Sequence, residues 1–253
     1  MEQSNPPLDL SRPRSVGELL STAVQLFTHH ASLFLSVTLL VVAPVVIFVE
    51  GVWGGALREG PDYSPSAAAA AVSALLTTFA IPSLVTALHA VIVRDLGSRG
   101  EIPTAGRALR EAAPRMLAAL GAVVASSIGI AIGFVCLIVP GIWLMVRWYF
   151  GAQAAVLDGT SPGVSLDRSS ELVKGRWWET FRALLLSIVV FGFAGLIAST
   201  IVRVVEQPVV FVVLLTLVQA VALSISALFG TLLFFTLRAR HAAAAAPPPL
   251  TTA

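Results

Sequence analysis

Residues 137–159, LIVPGIWLMVRWYFGAQAAVLDG, decide how this sequence folds. The stretch is almost entirely apolar or aromatic, yet Arg147 stands near its middle. In a soluble core a buried arginine requires a carboxylate partner, whereas in a membrane span it requires a partner, a water-filled cavity or a nearby interface. The rest of the sequence decides between these two environments.

Composition favours the membrane. The chain is 57% hydrophobic and only 12% charged, about half the charged fraction of roughly 25% that is usual for soluble proteins. Charged residues are absent from four long runs, 63–93, 117–146, 183–202 and 207–237. Each run reaches the roughly 20 residues that a helix needs to cross about 30 Å of hydrocarbon. We therefore expect an all-α integral membrane protein.

Turn signals divide the apolar sequence into six expected transmembrane helices. These are 31–50, 67–93, 116–138, 141–158, 180–202 and 208–237. The apolar run around Pro140–Gly141 is too long for one crossing, and Pro-Gly is typical of a tight reversal, so we expect a hairpin there. The spans form one polytopic membrane domain, 15–240, between a polar segment, 1–14, and a disordered Ala- and Pro-rich tail, 241–253.

The placement of basic residues predicts the orientation. With six spans, one side of the membrane holds Arg12, Arg14, Arg94, Arg99, Arg107, Arg110, Arg115, Arg168, Lys174, Arg176, Arg182, Arg238 and Arg240. The other side holds only Arg58 and Arg203, and Arg147 lies within a span. Because basic residues concentrate on the cytoplasmic side, both termini are expected in the cytoplasm. Basic residues near that surface attract anionic lipid headgroups, and no nucleic-acid motif is present.

Three amphipathic segments precede the three expected hairpins and are expected to lie on the cytoplasmic membrane surface. They are RPRSVGELLSTAVQLFTHH (12–30), IPTAGRALREAAPRM (102–116) and SPGVSLDRSSELVKGRWWETF (161–181). In the first, Ser15 and Glu18 form a capping box. Pro114 is expected to end the second helix before the third span, and Gly175 to end the third helix. The chain therefore reads as three units of surface helix plus hairpin.

Two stretches carry a resemblance to a known family. RPRSVGELLSTAVQLFTHHASLFL, from Arg12, and PGIWLMVRWYFGAQAAVLDGTSPGVSLDRSSELVKGRWWETFRALLL, from Pro140, resemble the bacterial family named for the membrane domain of glycerophosphoryl diester phosphodiesterase. The family pattern falls on Pro140, Gly141, Arg147, Asp158, Gly159, Arg168, Ser169, Lys174, Gly175 and Trp178. The resemblance implies a membrane fold in the bacterial cytoplasmic membrane. It does not imply the phosphodiesterase reaction, which in the named enzymes resides in a separate soluble barrel domain.

Polar residues within the spans are the first group of candidate site residues. Arg147 lies six residues after Gly141, about 9 Å along a helix, which predicts a position in the outer half of its span. Together with Trp143, it either fixes the bundle or binds an anionic headgroup. The remaining candidates are His89, Gln153 and Gln219, which form interhelical hydrogen bonds or line a transport path.

A second group lies at the expected cytoplasmic mouth of spans four and five. It consists of Asp158, Arg168, Glu171, Lys174 and Trp178. Arg168 with Glu171, and Glu171 with Lys174, have the spacing of helical ion pairs. The alternative is a docking surface for a partner or for lipid headgroups.

Neither a metal nor another cofactor is expected. His29 and His30 are adjacent, so on a helix they point about 100° apart, and no third ligand is near in sequence. The single cysteine, Cys136, can form neither an intrachain disulfide nor a cysteine metal cluster.

Three functions are weighed. The leading hypothesis is a non-enzymatic inner-membrane protein that acts in envelope or lipid homeostasis by binding lipids, a membrane-protein partner or a second copy of itself. The second is a small permease or lipid-handling transporter with its site near Arg147 and a path along Pro44 and Pro82. The third, a lipid-headgroup enzyme, is disfavoured because the sequence lacks the serine-hydrolase, zinc-protease, P-loop and dinucleotide-binding motifs. It would require two acids to meet in one cleft, either from Glu50, Asp62 and Glu206 or from Asp95 and Asp158.

Overall fold

A computed structural model describes residues 8–99 and 103–245 of the chain. The described residues contain helices and connecting turns and no β-strand. The α-helices are α1 (Val16–His29), α2 (Ala31–Val45), α3 (Ala56–Glu59), α4 (Ala67–Leu75), α5 (Ile81–Arg99), α6 (Ala105–Cys136), α7 (Ile138–Trp148), α8 (Gly151–Asp158), α9 (Pro162–Val173), α10 (Trp177–Ser187), α11 (Phe193–Val202) and α12 (Pro208–Ala245).

Three π-helical segments interrupt the long helices. The first, π1 (Val46–Trp53), continues α2; the second, π2 (Leu76–Ala80), joins α4 to α5; and the third, π3 (Ile188–Gly192), joins α10 to α11. A short 3₁₀ turn, Gly60–Asp62, follows α3. Segments of π-helix are rare and are found frequently at functional sites.

Within residues 8–99 and 103–245, four helices are long and apolar enough to cross a membrane. They are Ala31–Trp53, Ala105–Cys136, Trp177–Val202 and Pro208–Ala245. The sequence-based expectation of an all-helical protein with membrane-length helices is therefore confirmed. The other two expected spans, 67–93 and 141–158, fall on interrupted helical runs, α4–π2–α5 and α7–α8. The count of six spans stays a prediction.

The expected break at Pro114 is wrong. Helix α6 runs without interruption from Ala105 through Pro114 to Cys136. A proline within a helix removes one hydrogen bond to the carbonyl four residues earlier, here that of Arg110. Both residues are exposed, so this carbonyl is not sealed in the core. The second amphipathic segment and the third expected span consequently form one helix.

The expected reversal at Pro140–Gly141 is also misplaced. The chain reverses at Leu137, whose extended backbone (φ −167°, ψ 150°) separates α6 from α7. Pro140 lies in the first turn of α7, where backbone N–H groups have no helical partner to lose. Gly141 and Gly133 permit a close approach of the two helices, because a Cβ on Gly141 would lie 2.5 Å from the Phe134 ring and a Cβ on Gly133 would lie 3.0 Å from the Gly141 Cα.

The first amphipathic helix is confirmed, with its capping box. The hydroxyl of Ser15 accepts from the Glu18 N–H, and the Glu18 carboxylate accepts from the Ser15 N–H. The buried face of α1, formed by Leu19, Ala23 and Phe27, belongs to the main hydrophobic core and packs against α12. This apolar face is therefore covered by protein, which the sequence alone did not predict.

The ends of the chain differ from expectation at one point. Helix α12 continues to Ala245, so the expected disorder is wrong for residues 241–245, whereas 246–253 lie outside the described residues. At the other end of the chain, residues 1–7 also lie outside the described residues, and Leu8 and Leu10 pack against the main core.

The third amphipathic helix, α9, has the expected bounds, with Pro162 at its first position.

Candidate functional site

The helical run α7–α8 is broken at Tyr149 and Phe150, and α9 supplies the residue that fills the break. The Ser169 hydroxyl donates to the carbonyl oxygen of Arg147 (2.8 Å) and accepts from the N–H of Phe150 (3.1 Å). Ser169 is fully buried. Backbone groups at helix ends lack helical partners. The hydroxyl therefore satisfies both ends of the break and holds α9 against it.

Arg147 lies beside this break. Its guanidinium carbon is 4.7 Å from the centre of the Trp143 ring, a cation–π distance. It lines a cavity of about 510 Å³ together with Lys174 and Trp177. The Trp177 indole N–H donates to the Trp143 carbonyl (3.4 Å). Arg147 therefore lies beside the α9–α10 connection. Its depth in the membrane had been predicted by counting residues from Gly141.

Three adjoining cavities share Lys174. One, of about 410 Å³, is lined by Asp158, Arg168, Glu171, Leu172, Lys174, Arg238 and His241. Another, of about 770 Å³, is lined by Lys174, Gly175, Arg176, Trp177, Trp178, Glu179 and Arg182. The third is the cavity that contains Arg147. The structure therefore places all five of the expected cytoplasmic residues around one point of the surface.

The expected ion pairs within α9 are not formed. Neither Arg168 nor Lys174 has a carboxylate oxygen within 4.0 Å among the residues that the structure describes. The carboxylate of Asp158, at the end of α8, pairs with a residue of α12 instead. Asp158 accepts from Arg238 at 2.5 Å, across 80 residues of sequence.

A second carboxylate near Lys174 is also occupied. Glu179 pairs with Arg176 at 3.4 Å and with Arg240 of α12. Among the residues that line the three cavities, four cations have no carboxylate partner within the described part of the chain: Arg147, Arg168, Lys174 and Arg182. We call these four residues the basic site.

The charge balance around the basic site is positive. The residues that line the three cavities include six arginine or lysine side chains and four carboxylates, with His241 in addition. Because these cations outnumber the carboxylates, the site favours an anion. The N-terminal turn of α10 adds to this preference, because it has no side-chain cap and its N–H groups lie beside the same residues.

Aromatic side chains flank the basic site. The rings of Trp177 and Phe181 are stacked, with centroids 5.2 Å apart and planes 6° apart. Trp178 packs edge-on against Trp177 and remains 69% exposed. Exposed tryptophan beside arginine is typical of the boundary between lipid and water.

The remaining expected polar residues lie away from the basic site. His89 is fully buried in α5, where it stacks on Phe34 with ring centroids 5.0 Å apart and bonds to the Val85 carbonyl (2.8 Å). Gln153 is buried in α8, and its amide nitrogen has no partner among the described residues. Gln219 lines a different cavity, together with Glu50 and Ser187.

The sequence did not identify three residues that hold this region together: Ser169, Arg115 and Arg238. Ser169 was seen only as part of the resemblance, and Arg115 and Arg238 only as topology signals. Arg115 donates to the Val156 carbonyl (2.9 Å) at the C-terminal end of α8. The local signal was Gly159, whose left-handed backbone (φ +65°) ends that helix and leaves carbonyls that a cation can satisfy.

These features define an all-helical protein with membrane-length helices and a basic site framed by tryptophan. The model of a family described as a domain of unknown function (DUF7847) matches residues 102–245, and the chain belongs to that family. The match spans the whole basic site. No curated protein and no solved structure matches the chain. The resemblance to the phosphodiesterase membrane domain stays a prediction.

Proposed function

We propose that this chain is a non-enzymatic, six-span protein of the bacterial cytoplasmic membrane that acts in envelope or lipid homeostasis by binding anionic lipid headgroups at the basic site. One observation carries the proposal: the four cations lack carboxylate partners in the described chain and lie beside exposed tryptophan. A phosphate group supplies the missing anion, since arginine and lysine both bind phosphate well.

The arrangement of the chain ends supports the proposed orientation. Arg240, near the end of α12, donates to the carbonyl of Arg14 (3.1 Å), and the His241 ring is 2.9 Å from the carbonyl of Leu172 in α9. The segment before α1, the end of α12 and the basic site thus lie together. If the basic residues mark the cytoplasmic side, this end faces the inner leaflet.

The lengths of the helical runs support six spans. Four helices have the required length and composition. The α7–α8 run covers 138–158, 21 residues including the break at Tyr149–Phe150, which is close to the roughly 20 residues that one crossing needs. The α4–π2–α5 run is longer still.

Fluorescence quenching in reconstituted vesicles tests the proposal. Three of the five tryptophans, Trp143, Trp177 and Trp178, line the cavities around Lys174. Brominated phosphatidylglycerol, which is anionic, and brominated phosphatidylcholine, which has no net charge, are compared as quenchers. We expect the wild-type protein to be quenched at lower fractions of the anionic lipid.

A double variant measures how much two of the cations contribute to the preference for the anionic lipid. Replacing Lys174 and Arg182 by glutamine removes two charges of about 1 kcal/mol each, so the preference for the anionic lipid should fall roughly thirtyfold. The matched control is Arg110→Gln, an exposed cation outside the three cavities, which should lower the preference by no more than the roughly fivefold expected for one surface charge. Equal quenching by both lipids in the wild type, or an equal loss in the control, would contradict the proposal.

A further inference from the structure

A separate cavity of about 610 Å³ lies between α2, α5, α12 and the α10–α11 run. All three π segments contribute to its wall: Glu50 belongs to π1, Thr77 to π2 and Phe191 to π3. A π turn costs hydrogen-bond geometry and persists where it places a side chain that function requires. Their convergence on one cavity points to a binding site.

Glu50 is the one ionisable side chain among the residues that line this cavity. One of its carboxylate oxygens accepts from the Ser73 hydroxyl (3.1 Å). No cation of the described residues lies within 4.0 Å of the carboxylate. The guanidinium of Arg203 instead donates to the Pro61 carbonyl (3.1 Å). The cavity therefore presents an acid that makes no salt bridge, although the charge of Arg203 acts on it from farther away.

Other polar groups on the wall also lack strong partners. The Gln219 amide makes no hydrogen bond to any described residue. The hydroxyls of Ser187 and Ser226 are 3.5 Å apart, at the limit of a hydrogen bond. An amide within an apolar bundle loses free energy when it has no partner. A bound molecule with a polar group would supply one.

Apart from Thr77 and Ser199, whose hydroxyls donate to carbonyls of their own helical runs, the rest of the wall is apolar. Val42, Ile81 and Leu223 lie on it, and Pro82 lies beside them in the first turn of α5, directly after π2. The volume falls within the roughly 300–1,000 Å³ of cavities that hold drug-sized ligands. An apolar wall with one carboxylate suits a molecule that has a cationic centre and an apolar body.

We infer that this cavity binds an amphiphilic organic cation, such as a hydrophobic amine or quaternary ammonium, whose charged centre pairs with the Glu50 carboxylate while its apolar body contacts the wall. The site differs from the one expected near Arg147. It also contains a single acid, without Asp62 or Glu206, so it lacks the acid pair that a hydrolytic reaction would require.

Tetraphenylphosphonium and tetraphenylborate test the inference, because they have nearly the same shape and opposite charge. Radiolabelled tetraphenylphosphonium is bound to the purified full-length protein in detergent, and each unlabelled ion is added as competitor. We expect saturable binding that is displaced by the cation and not by the anion. Glu50→Gln, which keeps the shape of the side chain, should weaken binding by about tenfold or more.

A filling variant supplies an independent measurement. Ala222→Trp places a large side chain in the cavity and should abolish binding. Its matched control, Leu196→Trp, lies on α11 at a side chain that is 62% exposed and outside the cavity, so binding should persist. Equal displacement by both ions, or wild-type binding in both Glu50→Gln and Ala222→Trp, would overturn the inference.

The test is independent of the proposal on lipid headgroups. The double glutamine variant of Lys174 and Arg182 should bind tetraphenylphosphonium normally. Conversely, Glu50→Gln should retain the preference for brominated phosphatidylglycerol. Loss of both activities in either variant, with its circular dichroism spectrum unchanged from that of the wild type, would contradict the existence of two separate sites.

Discussion

Replacing Ser169 by alanine should destabilise the protein through the break between α7 and α8. The hydroxyl is the partner of two backbone groups, the Arg147 carbonyl and the Phe150 N–H. Phe150 and Ser169 are both fully buried. In such a place water does not readily replace the lost hydroxyl.

The expected loss of stability follows from the two backbone groups that lose their hydrogen-bond partner, the Arg147 carbonyl and the Phe150 N–H. A buried donor or acceptor that loses its partner costs about 1–3 kcal/mol. Because a small part of this cost is recovered by relaxation of the break, we expect Ser169→Ala to lower the free energy of unfolding by about 2–4 kcal/mol.

Ser165→Ala is the matched control. Ser165 lies one turn earlier on α9 and is also fully buried, but its hydroxyl donates to the Pro162 carbonyl of its own helix (2.7 Å). Its removal costs one local hydrogen bond, about 1 kcal/mol, and alanine recovers part of that through its higher helix propensity.

The assay is unfolding of the purified protein in mixed micelles with increasing dodecyl sulfate, followed by tryptophan fluorescence and by circular dichroism. The two variants should differ by more than about 1 kcal/mol. If they lose the same stability, the hydroxyl of Ser169 does not bridge the break, and the account of α9 given above is wrong.

Three further outcomes are expected. Gly141→Val should lower the free energy of unfolding by about 1–3 kcal/mol, since its Cβ would meet the Phe134 ring at 2.5 Å; unchanged unfolding in mixed micelles would show that α6 and α7 do not pack closely. The pKa of Glu18 is lowered, chiefly because its carboxylate accepts a hydrogen bond from the backbone N–H of the helix-capping residue. The stability that this bond contributes is present above the ordinary pKa of about 4.3 and is lost as the pH falls through the folded pKa, so Glu18→Gln should lose less stability than the wild type on acidification. In a background without the native cysteine, an impermeant maleimide added to intact cells should label Asp62→Cys but not Arg110→Cys, and the reverse pattern would refute the proposed orientation.

Local signals predicted the parts of the fold that depend on a few neighbouring residues. The capping box of α1 was predictable because Ser15 and Glu18 satisfy each other's backbone within four residues. The end of α9 was predictable because Gly175 adopts a left-handed backbone (φ +78°) that other residues rarely adopt. The apolar composition predicted the membrane-length helices for a similar reason, since it depends on no distant contact.

The wrong predictions at Pro114 and Pro140 arose because proline occurs both at turns and within helices. Proline marks both turns and the first turn of a helix, and Pro140 has the second role after a reversal that occurs at Leu137. Pro114 was expected to end a helix, but α6 continues through it. Sequence alone does not distinguish these cases, because the outcome depends on whether the freed carbonyl is sealed in the core.

The sites depend on contacts between distant segments, which the sequence does not encode locally. Glu50 and Gln219 are far apart in sequence, yet they line one cavity, so neither could be assigned to it in advance. The pairing of Asp158 with Arg238 likewise joins α8 to α12. That pairing decides the chemistry of the basic site, because it removes from Lys174 a carboxylate that the sequence places nearby.

The break between α7 and α8 also connects Arg147 with Ser169, although the two residues are 22 positions apart. The Arg147 carbonyl is bound by Ser169, which holds α9 against the break, and α9 in turn carries Arg168 and leads to Lys174. The break therefore does two things: it presents the arginine side chain to the α9–α10 connection, and it provides the backbone group that holds the lysine-bearing segment in place. A continuous α7–α8 helix would have paired that carbonyl within the helix and left α9 without its buried hydrogen bonds. Three members of the basic site are thus positioned by one interruption of the α7–α8 helical run.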